Sequence, residues 1–181
     1  MSATKHTIVA LVEDKPGVLN RIASLFRRRN FNIDSIAVGH SEIPNLSRVT
    51  IVVDGAATMV EQVRKQLAKV IDVVKVADIT NEDIVTRELA LLKVKSNSVT
   101  RSEIMQIVDI FRANIVDVAV DSVTIEVTGD EDKIQSLYNL LRGFGVKEVA
   151  RTGRIALTRG AAGPIPVEDK ETKKRGKEPT T

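Results

Sequence analysis

The chain has no cysteine and no tryptophan, and its aromatic residues are four Phe and one Tyr among 181 residues. Without cysteine there is no disulfide, no thiolate nucleophile and no cysteine-based zinc site. With aromatics at 3%, the cores have to be built from Val, Ile and Leu. Histidine is scarce too. His6 and His40 stand alone, without paired acidic residues beside them, and such histidines read as surface or strand-end residues rather than ligands. No Gly-x-Ser-x-Gly elbow, Gly-x-Gly-x-x-Gly run or phosphate-loop spacing occurs. Arg21 with Asn32 could imitate an arginine–asparagine catalytic pair, but nothing else supports that reading, and catalysis by this chain is not expected. No apolar run approaches ~18 residues, so no membrane-spanning segment is expected. Met1–Lys5 leads into a strand pattern without the apolar stretch of a signal peptide. The expected location is the cytoplasm.

Basic residues exceed acidic ones by 27 to 24, a net charge of +3. Such a balance could suggest a polyanionic partner, yet the signs alternate along most of the chain. The one compact basic run is Arg27-Arg28-Arg29. It falls where the first helix should end, where cations complement the helix dipole; a docking patch is the other reading.

What is present is a repeat. In the first copy Thr7–Val12 reads as a strand, and Val18, Leu19, Ile22, Ala23, Leu25 and Phe26 form a helical apolar face. Asn32–His40 and Ser47–Asp54 read as strands around a turn at Ser41–Asn45. Met59, Val63, Leu67 and Val70 mark a second helix, and Val73–Ile79 a fourth strand. The second copy starts near Ile84, with a strand at Leu89–Lys95. Thr100-x-x-Glu103 has the form of a capping box opening a helix with Ile104, Ile107, Val108 and Phe111. Strands at Ile115–Val120 and Ser122–Thr128, a helix with Ile134, Leu137, Tyr138 and Leu141, and a strand at Val146–Ala150 complete it.

Each copy has the order βαββαβ, so the fold class is α+β: two consecutive ferredoxin-like domains, 1–80 and 84–160, followed by a disordered tail at 161–181. Val and Ile recur on both sides of strands such as Ile8–Val12, so the sheet face away from the helices needs a cover. Dimerisation by sheet or edge pairing would supply it. RNA-recognition modules share this order but stack bases on strand aromatics. The strands Ser47–Asp54 and Ser122–Thr128 contain none, so nucleic acid is not an expected partner.

The stretch Glu13-Asp14-Lys15-Pro16-Gly17-Val18-Leu19 joins the first strand to the first helix. Pro16 is expected in the first helical turn, where a missing N–H costs nothing. Gly17 has no Cβ and lets the backbone approach a bound group. The amides of Gly17, Val18 and Leu19 then face outward at a helix start, which favours an anion. A free amino-acid carboxylate has the right size. Asp14 could neutralise an ammonium or cap the helix.

These residues, with Phe31-Asn32-Ile33-Asp34-Ser35-Ile36 and Leu46-Ser47-Arg48, closely resemble an ACT domain. The resemblance is to that of the regulatory (small) subunit of acetohydroxyacid synthase (AHAS), also called acetolactate synthase. Ile110–Val118 and Val149-Ala150-Arg151-Thr152-Gly153-Arg154 are similar to the same family, and the match spans residues 5–160. The resemblance implies a non-catalytic subunit of branched-chain amino-acid biosynthesis. Its partner would be the large subunit, which carries thiamine diphosphate, magnesium and FAD. The small subunit would stimulate that enzyme and confer feedback inhibition, usually by valine. A homodimer through the ACT domains is implied, with Asp14, Gly17, Val18 and Leu19 of one subunit and Asn32 and Ile33 of the neighbour forming the effector site. A free-standing amino-acid-binding ACT regulator of another enzyme is the alternative.

Overall fold

The computed structural model describes residues 5–160; the tail expected to be disordered, 161–181, lies outside them. The first unit runs β1 (Lys5–Glu13), α1 (Val18–Arg28), β2 (Ile33–His40), β3 (Leu46–Asp54), α2 (Ala57–Leu67) and β4 (Val73–Asp78). The second runs β5 (Ile84–Lys95), α3 (Arg101–Ile110), β6 (Asn114–Val118), β7 (Ser122–Gly129), α4 (Glu131–Leu141), β8 (Val146–Arg151) and β9 (Ile155–Thr158). The sheets have the matching orders β2-β3-β1-β4 and β6-β7-β5-β8, with β9 on β5, and every described pairing is antiparallel. The chain is two ferredoxin-like units of the α+β class.

Periodicity builds each core. In α1 the buried positions are Val18, Ile22 and Phe26, spaced four apart so that one face meets the sheet. They pack on Ile8, Ala10 and Val12 of β1 and Val49, Ile51 and Val53 of β3. In α2 the inward stripe is Val60, Val63 and Leu67. Met59, expected there, is 40% exposed, and Val60 takes the inward place in that turn instead. The second core pairs Ala90, Leu92 and Val94 with Val123, Ile125 and Val127 under α3 and α4.

Three local expectations are corrected. Pro16 precedes the helix, which opens at Val18. Thr100 and Glu103 form no capping box, since Thr100 makes no side-chain cap bond. Asn97 organises that turn instead: its Oδ1 accepts from the amides of Val99 and Thr100, each at 2.9 Å. The Asx turn therefore takes the Thr100 amide, which Glu103 would have accepted in a capping box, and the Thr100 hydroxyl accepts from the Asn97 amide at 3.1 Å instead. Finally, β5 is longer than expected because Ile84–Arg87 pair with β9, a strand absent from the sequence reading.

That β5–β9 arm changes the account of the sheet's second face. Thr7, Val9 and Leu11 point away from the helices, yet each is at most 2% exposed. Val9 packs with Ile79 and Ala156, and Ala77 and Ile84 flank them. Arg48 reaches over to donate from Nη2 to the Ala156 carbonyl at 3.0 Å, and burial pushes its guanidinium below the usual arginine range. At these positions the cover comes from the chain's own second half rather than from another subunit.

Candidate functional site

The turn between β1 and α1 is held by main-chain bonds on both flanks. The Glu13 amide donates to the Asp72 carbonyl at 2.8 Å, and the Asp14 amide to the Asn45 carbonyl at 2.9 Å. Lys15-Pro16-Gly17-Val18 then form a reverse turn in which the Val18 amide reaches the Lys15 carbonyl at 3.5 Å. Gly17 has φ 88° and ψ −10°, the third position of a type II turn, with Pro16 at the second. Only glycine adopts that φ without strain, and no atom lies within 4 Å of where a Cβ would stand. The glycine therefore sets the direction of the helix start and leaves open space above it.

The helix start is bare. No side chain caps it and no acidic residue lies in its first turn. Among the described residues the amides of Gly17, Leu19 and Asn20 have no hydrogen-bond partner. Val18 contributes less than the sequence suggested, because its amide is turned to Lys15 and its side chain is 4% exposed in the core. Asn20, two residues after Val18, supplies an amide that sequence reading missed. Leu19 is 48% exposed beside these donors.

Asp14 does not cap α1. The cap position is Gly17, three residues later, and the Asp14 carboxylate instead lies 3.3 Å from Nδ1 of His40 at the end of β2. Register explains the meeting: Glu13 pairs with Leu46 and His40 with Ser47, so these strand ends adjoin. Arg21, one helical turn into α1, forms an ion pair with the largely buried Asp72 ahead of β4. It thereby fixes the helix start to the sheet.

Asn32 and Ile33 lie at the other end of β2, where Ile33 pairs with Val53. The strand between Ile33 and His40 is about 23 Å long at ~3.3 Å per residue. Within one chain they are not brought to Asp14, Gly17, Val18 and Leu19. The same separation removes the Arg21–Asn32 catalytic pair. Asn32 is exposed, while the Ile33 side chain packs against the first core. His6 is 6% exposed, with neither ring nitrogen hydrogen-bonded and Nδ1 3.9 Å from the Asp78 carboxylate, a buried strand residue rather than a surface one. Among the described residues no group of three or more acidic or histidine side chains is placed to hold a metal ion. No helix among them is long and apolar enough to cross a membrane.

Cavities of about 310 Å³ and 360 Å³ open at the junction of the two units. The first is polar and lies between the start of β2 and the Arg151–Arg154 loop. The second lies between β2, β3 and β9, and it reaches His40.

Known proteins share this arrangement. Residues 8–75 match the AHAS small subunit-like ACT domain family, and residues 87–160 match the family described as small subunit of acetolactate synthase. The probable acetolactate synthase small subunit of Archaeoglobus fulgidus is 56% identical over 156 residues, covering 86% of this chain and 98% of that protein. The acetolactate synthase small subunit of Bacillus subtilis is 52% identical over 157 residues, covering 86% and 91%. The crystal structure of the acetolactate synthase small subunit from Thermotoga maritima superposes with a TM-score of 0.80 at 45% identity, over 86% of this chain and 98% of that one.

Proposed function

The chain belongs to the acetolactate synthase small subunits, and from that premise we propose that it holds a branched-chain amino acid, valine, at the Gly17 turn between two copies of itself. There it would stimulate a catalytic large subunit and make that enzyme sensitive to feedback. Thiamine diphosphate, magnesium and FAD would reside on the large subunit, outside this chain, and the assembly would work in the cytoplasm.

The observation that carries the effector reading is the set of unpartnered amides at Gly17, Leu19 and Asn20. A carboxylate there meets the positive end of α1 and accepts charge-assisted hydrogen bonds, each contributing about 1.5–3 kcal/mol. Asp14 stands close enough in sequence to face the ammonium group. A millimolar metabolite needs only about 4 kcal/mol of binding, so these few bonds suffice.

The edge strand supports the two-copy arrangement. β2 ends the sheet order, and Ile36 and Val38 on it are 40% and 46% exposed. Two such edges pairing antiparallel about a two-fold axis would set Ile33 of one copy opposite His40 of the other. Asn32 and Ile33 of the neighbour would then lie beside Asp14, Gly17 and Leu19. Ile33 would offer its main chain, since its side chain is occupied in its own core, and Asn32 its amide.

The test uses the full chain. Calorimetry with valine, leucine and isoleucine, together with the solution mass, should give saturable binding to a dimer. Reconstitution with a large subunit should give stimulated, valine-sensitive turnover of pyruvate. Gly17→Asp plants a carboxylate where the effector's own would sit, so inhibition should vanish while stimulation survives. An unchanged inhibition curve in Gly17→Asp overturns the assigned pocket, and a lack of stimulation favours a free-standing ACT regulator.

A further inference from the structure

The segment Arg151-Thr152-Gly153-Arg154 is bonded to both units. On the second unit, Arg151 forms a two-pronged ion pair with Glu88, both contacts at 2.7 Å. Thr152 adds a main-chain bond to the Leu89 carbonyl at 3.1 Å and accepts the Leu89 amide on Oγ1 at 3.1 Å. On the first unit, the Arg154 amide donates to Ser35 Oγ at 3.0 Å, and its guanidinium reaches Thr7 Oγ1 at 3.4 Å.

Gly153 makes this approach achievable. Its φ is 81°, and a Cβ there would stand 3.0 Å from Ser35 Oγ and 3.4 Å from the Ile36 carbonyl. The loop is pressed against the first residues of β2. Four charges surround the contact. Arg154 pairs with Glu131 at 2.8 Å, and Lys5 pairs with Glu131 at 2.5 Å and with Asp34 at 3.1 Å. Asp34 directly follows Ile33, and Glu131 is the first residue of α4.

We propose that this Arg154–Glu131–Lys5–Asp34 cluster is the coupling latch through which an effector bound at the start of β2 moves the second unit. The inference rests on the effector reading given above. A ligand that shifts Asn32 and Ile33 shifts Asp34 and Ser35 with them. Through Lys5 and Arg154 that displacement arrives at the N-terminus of α4, and through Arg151 at β5. The polar cavity of about 310 Å³ beside the loop leaves room for the charges to adopt a second arrangement, and packed ionic interfaces change between discrete states rather than continuously. Arg154 and Glu131 are thus positioning residues that transmit, without touching the ligand.

The test separates binding from response. Arg154→Met and Glu131→Gln chains are titrated with valine by calorimetry, then reconstituted with the large subunit and assayed with pyruvate across valine concentrations. Valine affinity should stay within threefold of the parent chain and stimulation should persist, while the valine concentration for half-inhibition rises at least tenfold or maximal inhibition falls by more than half. Arg154→Lys should recover part of the response. Glu131→Gln keeps the side-chain shape, so it covers the case in which Arg154→Met does not fold. Normal inhibition in both variants, or an equal loss of binding and inhibition, overturns the latch. If the parent chain itself binds no valine, the effector reading fails in that arm alone and the latch falls with it.

Discussion

The Asp14 carboxylate and Nδ1 of His40 lie 3.3 Å apart, joining the start of the β1–α1 turn to the last residue of β2. Both side chains are well exposed, at 48% and 86%, so the contact adds little to stability. It does tie the carboxylate to the end of β2. Asp14→Ala and His40→Ala should each change stability by less than about 1 kcal/mol, a range set by exposed ion pairs. Asp14→Ala should weaken valine binding about tenfold, roughly 1.4 kcal/mol, because the ammonium loses its counter-charge. His40→Ala frees the carboxylate and should leave affinity unchanged or improve it. Thermal melts beside calorimetric titrations check both, and a stability loss in Asp14→Ala comparable to its affinity loss would make the residue structural.

The parts of the fold legible from sequence are those where burial imposes a period. Val18, Ile22 and Phe26, and the alternating Val123, Ile125 and Val127, declare their elements because each faces a core. β9 does not. It has one inward residue, Ala156 at 3% exposure, between Ile155 at 57% and Leu157 at 61%, so its apolar content points outward and its partner lies far back at Ile84–Arg87. Helix starts misled for a related reason. Pro16 and Thr100 are residues that favour a first turn, but Pro16 sits in a type II turn closed by the Val18 amide and the Thr100 amide goes to the Asn97 side chain. The Gly17 turn was visible because every part of it is local. His40, Asn20 and the Arg154 cluster were not, since strand register, helix phase and domain packing bring them into place.

The docking of the Arg151–Arg154 loop on β2 can be tested without any ligand. A Cβ built on Gly153 would lie 3.6 Å from that of Ser35, within the span that a disulfide bridges. The chain has no other cysteine, so a Ser35→Cys, Gly153→Cys chain carries a single candidate pair. Cysteine at a φ of 81° costs about 1–2 kcal/mol, which should lower the melting temperature of the reduced form. Oxidation closes a loop of more than 100 residues, which can stabilise by about 4–5 kcal/mol on the chain-entropy account. The oxidised chain should therefore migrate faster on a non-reducing gel and melt above its reduced form. Two free thiols persisting under oxidant would show that the loop does not rest on β2.

The same junction should leave a mark on the pH dependence of stability. The Lys5 ammonium, hydrogen-bonded to Glu131, holds that carboxyl below the usual glutamate value of 4.5; burial opposes the shift, and the charges of Lys5 and nearby Arg154 reinforce it. Lys5 in turn is raised above 10.5, chiefly by its bond to Glu131. A carboxyl depressed in the folded state stabilises fully above its unfolded value, and that contribution disappears as pH falls through the folded one. A raised lysine stabilises below its unfolded value and loses the effect in strong alkali. The contribution of the pair is therefore flat from about pH 5 to 10 and fades only outside that window. Glu131→Gln removes the titrating group, so the stability gap between the parent chain and this variant is the cleanest readout. It should be about 1 kcal/mol at pH 7 once solvent screening of these part-exposed groups is allowed for, and smaller in 0.5 M salt, where the Debye length is only about 4 Å. Below pH 4.5 it should shrink, because a protonated Glu131 is as neutral as Gln. Chemical denaturation of both chains at pH 7 and pH 3.5 measures it, and a gap that widens on acidification would mean that Glu131 is not held ionised by Lys5 and Arg154.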